Sequence, residues 1–254
     1  MFVVKKLPIF ILTMVLVVAT STAVWGSGVL KVATEAGFMP FEFVDEKTGE
    51  LLGFDMELIR AIGALLGMEV KIDNISWDGL IPALLNNNYD VAIAGMTITE
   101  ERAASVNFSD AYFESVLTIV TKNTAQNIAS LDDLKGKIAA VQISTTGDFE
   151  ASDLADAGGL KGVSRFDTVT DAMQAVIIGA ADVVIVDLPV ANAYLEANPQ
   201  APLKHVGPVA DNEFYGIALN KKNTALLEKI NGALTQLHEN GTYDKIYQNW
   251  FGAQ

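Results

Sequence analysis

The 254-residue chain predicts an α/β protein with largely parallel sheets, and three observations carry that expectation. From Leu30 onward, short β-branched runs alternate with amphipathic stretches of helical period. Residues 78–95 (D-G-L-I-P-A-L-L-N-N-N-Y-D-V-A-I-A-G) are echoed by residues 171–187 (D-A-M-Q-A-V-I-I-G-A-A-D-V-V-I-V-D). Each copy is an amphipathic helix, a short turn and a buried strand, so the chain reads as two similar lobes. Both strands end in a small or polar residue, Gly95 and Asp187. Open α/β sheets bind ligands beyond the carboxyl ends of their strands, which places both residues at candidate binding edges.

In chain order the expected elements are strand 30–34, helix 55–66, strand 69–75, helix 77–86, strand 90–94 and helix 100–104. Strand 117–121, a helical turn at 131–134, strand 138–142 and helices 148–155 and 171–178 follow. The chain closes with strand 182–186, helix 189–196, strand 215–219 and helix 224–239. Strands are assigned to apolar, β-branched runs such as Val183-Val-Ile-Val186, and helices to stretches with one apolar face.

The first 26 residues read as a cleaved secretory signal peptide. Lys5 and Lys6 are a positive start, residues 7–20 are almost wholly apolar, and small residues stand at Ser21, Ala23 and Gly26. Cleavage is expected after Ala23 or, by preference, after Gly26; an uncleaved anchor is the alternative. The net charge of -14 becomes -16 once Lys5 and Lys6 are removed, which argues against nucleic acid and anionic membrane surfaces as partners. There is no cysteine, hence no disulfide, thiolate metal site, cysteine nucleophile or lipid anchor. Only His205 and His238 are present, with neither a metal-ligand cluster nor a G-x-S-x-G motif, so no cofactor or metal is expected.

Three places carry candidate chemistry. Between Ala94 and Arg102 the chain leaves a strand, turns at Gly95, passes Thr97 and enters a helix capped by Thr99. Arg102 lies early in that helix, where a cation opposes the dipole and calls for an anion. That anion is either Glu100, Glu101 or Asp110 at the surface, or a ligand carboxylate gripped together with the Gly95 backbone and the Thr97 hydroxyl. Ser144-Thr-Thr-Gly147 precedes a helix and is either a plain cap or an anion seat. Asp187, after its apolar strand, either caps the helix beginning at Pro189 or meets a cation such as a ligand ammonium. Together these groups complement a zwitterionic α-amino acid.

With these stand Pro40-Phe-Glu-Phe43, Gly53-Phe-Asp55, Trp77-Asp-Gly-Leu-Ile-Pro82, Asn107-Phe-Ser-Asp110, Asn240-Gly-Thr-Tyr243 and Trp250-Phe251. In this order and spacing, across residues 30–252, the chain resembles the periplasmic amino-acid-binding proteins of ABC transporters, the polar amino-acid family. The resemblance implies a type II two-lobed periplasmic binding protein fold with two hinge-crossing strands. Lobe 1 is expected at 27–117 plus 208–254 and lobe 2 at 118–207. It implies a periplasmic monomer whose partners are a free amino acid and a membrane permease. Carried over by position, Ala94, Gly95, Thr97 and Arg102 belong to the carboxylate side, Thr146 adds a donor, and Asp187 takes the ammonium.

The positions matching the family's selectivity residues are Glu35, Phe38, Trp77 and Gln142. A carboxylate, two aromatic faces and a neutral amide favour arginine, with lysine or ornithine next. Glutamine is the alternative, since Glu35 and Gln142 can also satisfy an amide; glutamate would oppose Glu35. A cyclohexadienyl dehydratase-like enzyme, with Glu35 as general acid, is a minor alternative, and a sensory receptor is a second possible docking partner.

Overall fold

A computed structural model describes residues 28–252, so the signal peptide read at residues 1–26 lies outside the described residues. The first half contains β1 (Gly28–Thr34), β2 (Gly37–Phe38), β3 (Glu42–Val44), β4 (Leu51–Leu52), α1 (Phe54–Leu66) and β5 (Met68–Asn74). It continues with α2 (Leu80–Leu85), β6 (Val91–Ala92), α3 (Glu100–Ser105) and β7 (Val106–Phe108). There follow β8 (Phe113–Lys122), β9 (Lys137–Gln142), α4 (Thr146–Asp156), β10 (Leu160–Phe166), α5 (Val169–Ile178), β11 (Val183–Asp187) and α6 (Leu188–Ala197). The chain ends with β12 (Leu203–Tyr215), β13 (Ala218–Asn220), α7 (Thr224–Glu239) and α8 (Thr242–Phe251). No helix among the described residues is long and apolar enough to cross a membrane.

Two five-stranded sheets organise these elements, in the orders β5-β1-β6-β13-β7 and β10-β9-β11-β8-β12. In the first, β1 pairs with β5 in parallel from Gly28↔Met68 to Thr34↔Asn74, the α1 crossover between them. That crossover stops where it does because Gly67, at φ 66°, takes the left-handed conformation and returns its amide to the Ala64 and Gly63 carbonyls. In the second sheet β11 is buried along its whole length, which accounts for its unbroken aliphatic sequence.

The chain crosses between the sheets twice, from β7 to β8 and from β12 to β13. β8 and β12 are long and antiparallel, from Leu203↔Lys122 to Tyr215↔Phe113, with the register broken between Pro208 and Asn212. They are the two crossing strands of the expected two-lobed fold. The expected strand 215–219 is divided at this crossing: Tyr215 ends β12 and Ala218 begins β13. A Cβ on Gly216 would come within 2.9 Å of the Ile98 side chain, so the crossing needs glycine.

Other differences are local. The expected helix 77–86 starts as a 3-10 turn at Trp77–Gly79, and α2 then holds Pro82 in its first turn, where no amide is missed. The expected strand 90–94 pairs only at Val91–Ala92. Strands β2, β3, β4, β7 and β10 and helix α8 had no counterpart among the expected elements, and of β12 only Tyr215 was expected. Most of those strands are two or three residues long, and β10 is a partly exposed edge strand with an interior glycine, so none shows a period.

Candidate functional site

The carboxyl ends of β1 and β6 in one sheet and of β9 and β11 in the other converge on a tight cavity of about 10 Å³. Glu35, Phe38, Trp77, Gly95, Thr97, Arg102, Gln142, Thr146 and Asp187 line it. Ala94 does not: it is buried in the core behind Gly95 and shows no face to the cavity. Thr145, which the sequence did not single out as a ligand residue, is part of the lining.

Arg102 reaches the cavity because Thr99 caps α3, its hydroxyl accepting the Arg102 amide at 3.1 Å. The side chain is turned inward, and Arg102 as a whole is only 7% exposed. One nitrogen donates to the Thr97 carbonyl at 2.8 Å and the other to the Ser144 carbonyl at 3.2 Å. It lies 5.1 Å over the Trp77 ring, a cation–π geometry. No carboxylate stands within 4.0 Å of it among the described residues, so the surface pair with Glu100, Glu101 or Asp110 does not form. Burial lowers its pKa, and the Glu213 and Asp187 carboxylates oppose that shift. A buried guanidinium bonded only to neutral carbonyls keeps an electrostatic demand for an anion.

The role of Gly95 differs from expectation. Its amide donates to the buried Asp55 carboxylate at 2.9 Å and is not available to a ligand carboxylate. Asp55 also accepts the Tyr112 hydroxyl at 2.7 Å, and burial raises its pKa to about 6. At φ +53° Gly95 passes under Phe38, and a Cβ there would fall 2.7 Å from the Phe38 ring. The glycine therefore lets an aromatic wall close over the turn while Asp55 orients the peptide.

On the second sheet, Thr145 caps α4 by accepting the Asp148 amide at 3.2 Å and donates to the Gln142 carbonyl at 2.8 Å. The cap reading of this loop is thus met by Thr145, which frees the hydroxyl of Thr146 to face the cavity and donate to Glu213 at 3.0 Å. Ser144, at φ +60°, aims its carbonyl at both Arg102 and Trp77 Nε1, the latter at 3.0 Å. Ser144 was legible only as part of the Ser144–Gly147 loop and acts through its backbone carbonyl, whereas Glu213, in a strand that carries no motif, was not singled out.

Asp187 occupies the N-cap position of α6 without bonding it. Its carboxyl instead accepts the hydroxyls of Tyr215 and of Ser115, the latter at 3.2 Å. Burial, reinforced by Glu213 and opposed by the two hydroxyls, raises its pKa to about 7. At the far end, Gln142 donates to Glu35 at 3.2 Å and to the Asp167 carbonyl at 2.9 Å. Burial raises Glu35, and the Gln142 amide partly offsets it.

Two sheets bridged by two strands, with a charged cavity enclosed where their carboxyl edges face, define a two-lobed binding protein of the periplasmic type. The chain belongs to the bacterial extracellular solute-binding proteins, family 3, whose model matches residues 30–253. It is 36% identical over 229 residues to a probable histidine-binding protein of Neisseria gonorrhoeae, covering 89% of this chain and 84% of the relative. Among solved structures it is similar to an ancestral arginine-binding protein bound to arginine, at 48% identity and TM-score 0.85, covering 89% of this chain and 99% of the other. An ancestral arginine-binding protein bound to glutamine matches at 47% identity and TM-score 0.84, with the same coverage.

Proposed function

We propose that the protein captures a free L-amino acid in the periplasm for an ABC importer, arginine before lysine or ornithine, and performs no chemistry on it. The lobes would divide at the crossing strands, with 27–117 plus 208–254 in one and 118–207 in the other. The observation that carries the reading is one buried guanidinium, on α3 beside the first sheet, and one buried carboxyl, at the end of β11 in the second, lining the same cavity. Arg102 with the Thr97 and Thr146 hydroxyls receives the α-carboxylate, and Asp187 receives the ammonium. Glu35, the Gln142 amide and the faces of Phe38 and Trp77 then surround the side chain. Carboxyls outnumber the single guanidinium, which favours a ligand of net positive charge. The relatives that bind arginine and histidine point the same way.

Glutamine is the second reading, favoured by the relative solved with glutamine and by the Gln142–Glu35 bond, which shows that Glu35 accepts an amide. In this reading the charged groups lining the cavity, Glu35, Arg102 and Asp187, are all taken up by the charges of the bound ligand, and none is assigned a catalytic step. Incubation with arogenate or prephenate should therefore yield no elimination product.

A thermal-shift panel of the twenty amino acids and ornithine tests the assignment. A ligand at a hundredfold over its Kd adds about 2.7 kcal/mol, or roughly 5 to 10 °C for a chain of this size. Arginine is expected to give the largest shift, and a larger one from glutamine would reverse the order. Glu35→Gln is expected to weaken arginine about tenfold relative to glutamine, as one carboxylate–guanidinium attraction is lost while amide bonding is kept. Competition calorimetry reads the ratio, and an unchanged ranking would defeat the arginine assignment.

A further inference from the structure

We propose that Glu213 is the internal occupant of the carboxylate seat, holding it in the ligand-free protein and leaving it when an amino acid enters. This rests on the seat being the one assigned above to Arg102, Thr97 and Thr146. Glu213 lies on β12 opposite Ser115 of β8, where pairing resumes after the break between Pro208 and Asn212. A single oxygen of its carboxylate accepts both threonine hydroxyls, from Thr97 at 3.0 Å and from Thr146 at 3.0 Å. Thr97 follows β6 of the first sheet and Thr146 opens α4 on the second, so this oxygen ties the two halves together.

A hydroxyl has one proton to donate, and both of these are committed to Glu213. A ligand carboxylate cannot receive them until Glu213 moves. The Arg102 guanidinium attracts Glu213 across a distance longer than a salt bridge while bonding the carbonyls of Thr97 and Ser144. Its anion-facing edge is therefore not saturated by Glu213, and an incoming carboxylate has something to gain that Glu213 does not collect. Burial also raises the Glu213 carboxyl, so its charge is held in the seat at a cost that release removes.

Two ligand classes should then respond in opposite ways. Arginine brings its own carboxylate and competes with Glu213, so the occluded state lowers its apparent affinity by the fraction of molecules it holds. Agmatine, which is arginine without the carboxylate, leaves Glu213 in place and uses it as the anion it lacks. The cavity should accordingly accept guanidino-amines as well as amino acids.

Isothermal titration of wild type and Glu213→Ala with each ligand tests this. The variant is expected to bind arginine about fivefold or more tightly and agmatine about fivefold or more weakly, the size expected when most ligand-free molecules are occluded. Glu213→Gln, which keeps the volume, should shift both in the same senses but less. A merely structural role for Glu213 moves both ligands together. The proposal is overturned by a common direction, by unchanged values, or by a wild type that binds arginine but not agmatine.

A second readout is independent of ligand identity. The chain has no cysteine, so spin labels at Lys47→Cys and Asn198→Cys report cleanly across the groove these residues line. Ligand-free Glu213→Ala should show longer distances than ligand-free Glu213, because the tie between Thr97 and Thr146 is gone. If no amino acid binds the wild type, the ligand assignment fails and this distance alone judges Glu213; an unchanged distribution overturns the proposal.

Discussion

Arg102→Ala removes most of the binding of arginine, lysine and glutamine alike, with Kd raised about thirtyfold or more for each. The expectation follows from the place of the guanidinium: it is buried, bonded to neutral carbonyls and, among the described residues, without a carboxylate within salt-bridge distance. Removing one member of a buried, hydrogen-bonded charge pair costs about 2 to 5 kcal/mol, much of it for the charge left unpaired. The α-carboxylate is common to every amino acid, so the loss is uniform across side chains, unlike the selective loss at Glu35. Isothermal titration with the three ligands reads the result. Affinity kept within a few-fold for any of them would place the carboxylate elsewhere in the cavity.

The second large effect concerns pH and Asp187. Its pKa is about 7, raised by burial first and by Glu213 second. An ammonium placed against it favours the ionised form, so binding draws the pKa down and releases a proton wherever the empty site is still protonated. Arginine affinity should therefore rise from pH 5 to pH 7 by up to about tenfold per unit and level off above the pKa of the empty site. Glu35 contributes in the same sense, its carboxyl being raised as well. Titration in buffers of different ionisation heat measures the proton released, and Asp187→Asn should remove most of it along with most of the affinity. For stability the sign is opposite. A carboxyl whose folded pKa exceeds the unfolded value adds stability that is complete below about pH 4 and lost as the pH climbs through about 7. Asp187→Asn should thus flatten the fall of the ligand-free melting temperature between pH 5 and pH 7. Part of the slope will remain, because Asp55, with its pKa of about 6, responds in the same direction. Affinity independent of pH in this window would remove Asp187 from the ammonium end.

Much of the site was legible because its residues sit at strand ends and helix starts, which local chemistry marks. Arg102 stood out by opposing the dipole of its own helix, and Asp187 by ending an aliphatic strand. The sequence left each with two partners. Arg102 turns away from Glu100 and Glu101, and Asp187 ignores the helix it precedes in favour of Tyr215 and Ser115. Both choices depend on what lies above the residue in space. Position-by-position resemblance carried Ala94 into the site, yet it faces the core, and the Gly95 amide assigned to a ligand is bound to Asp55.

Apolar period and turn chemistry, acting over a few residues, were enough to determine the α/β class, the helix–strand units and the ends at which chemistry would gather. Which of those ends meet was decided by β8 and β12 carrying one sheet across to the other, with contacts such as Glu35–Gln142 and Thr97–Glu213 spanning 107 and 116 residues of chain. A pattern in sequence reports the neighbours a residue has along its own element. A carboxylate that waits in another group's seat is visible only once the fold has brought distant strands within hydrogen-bond reach.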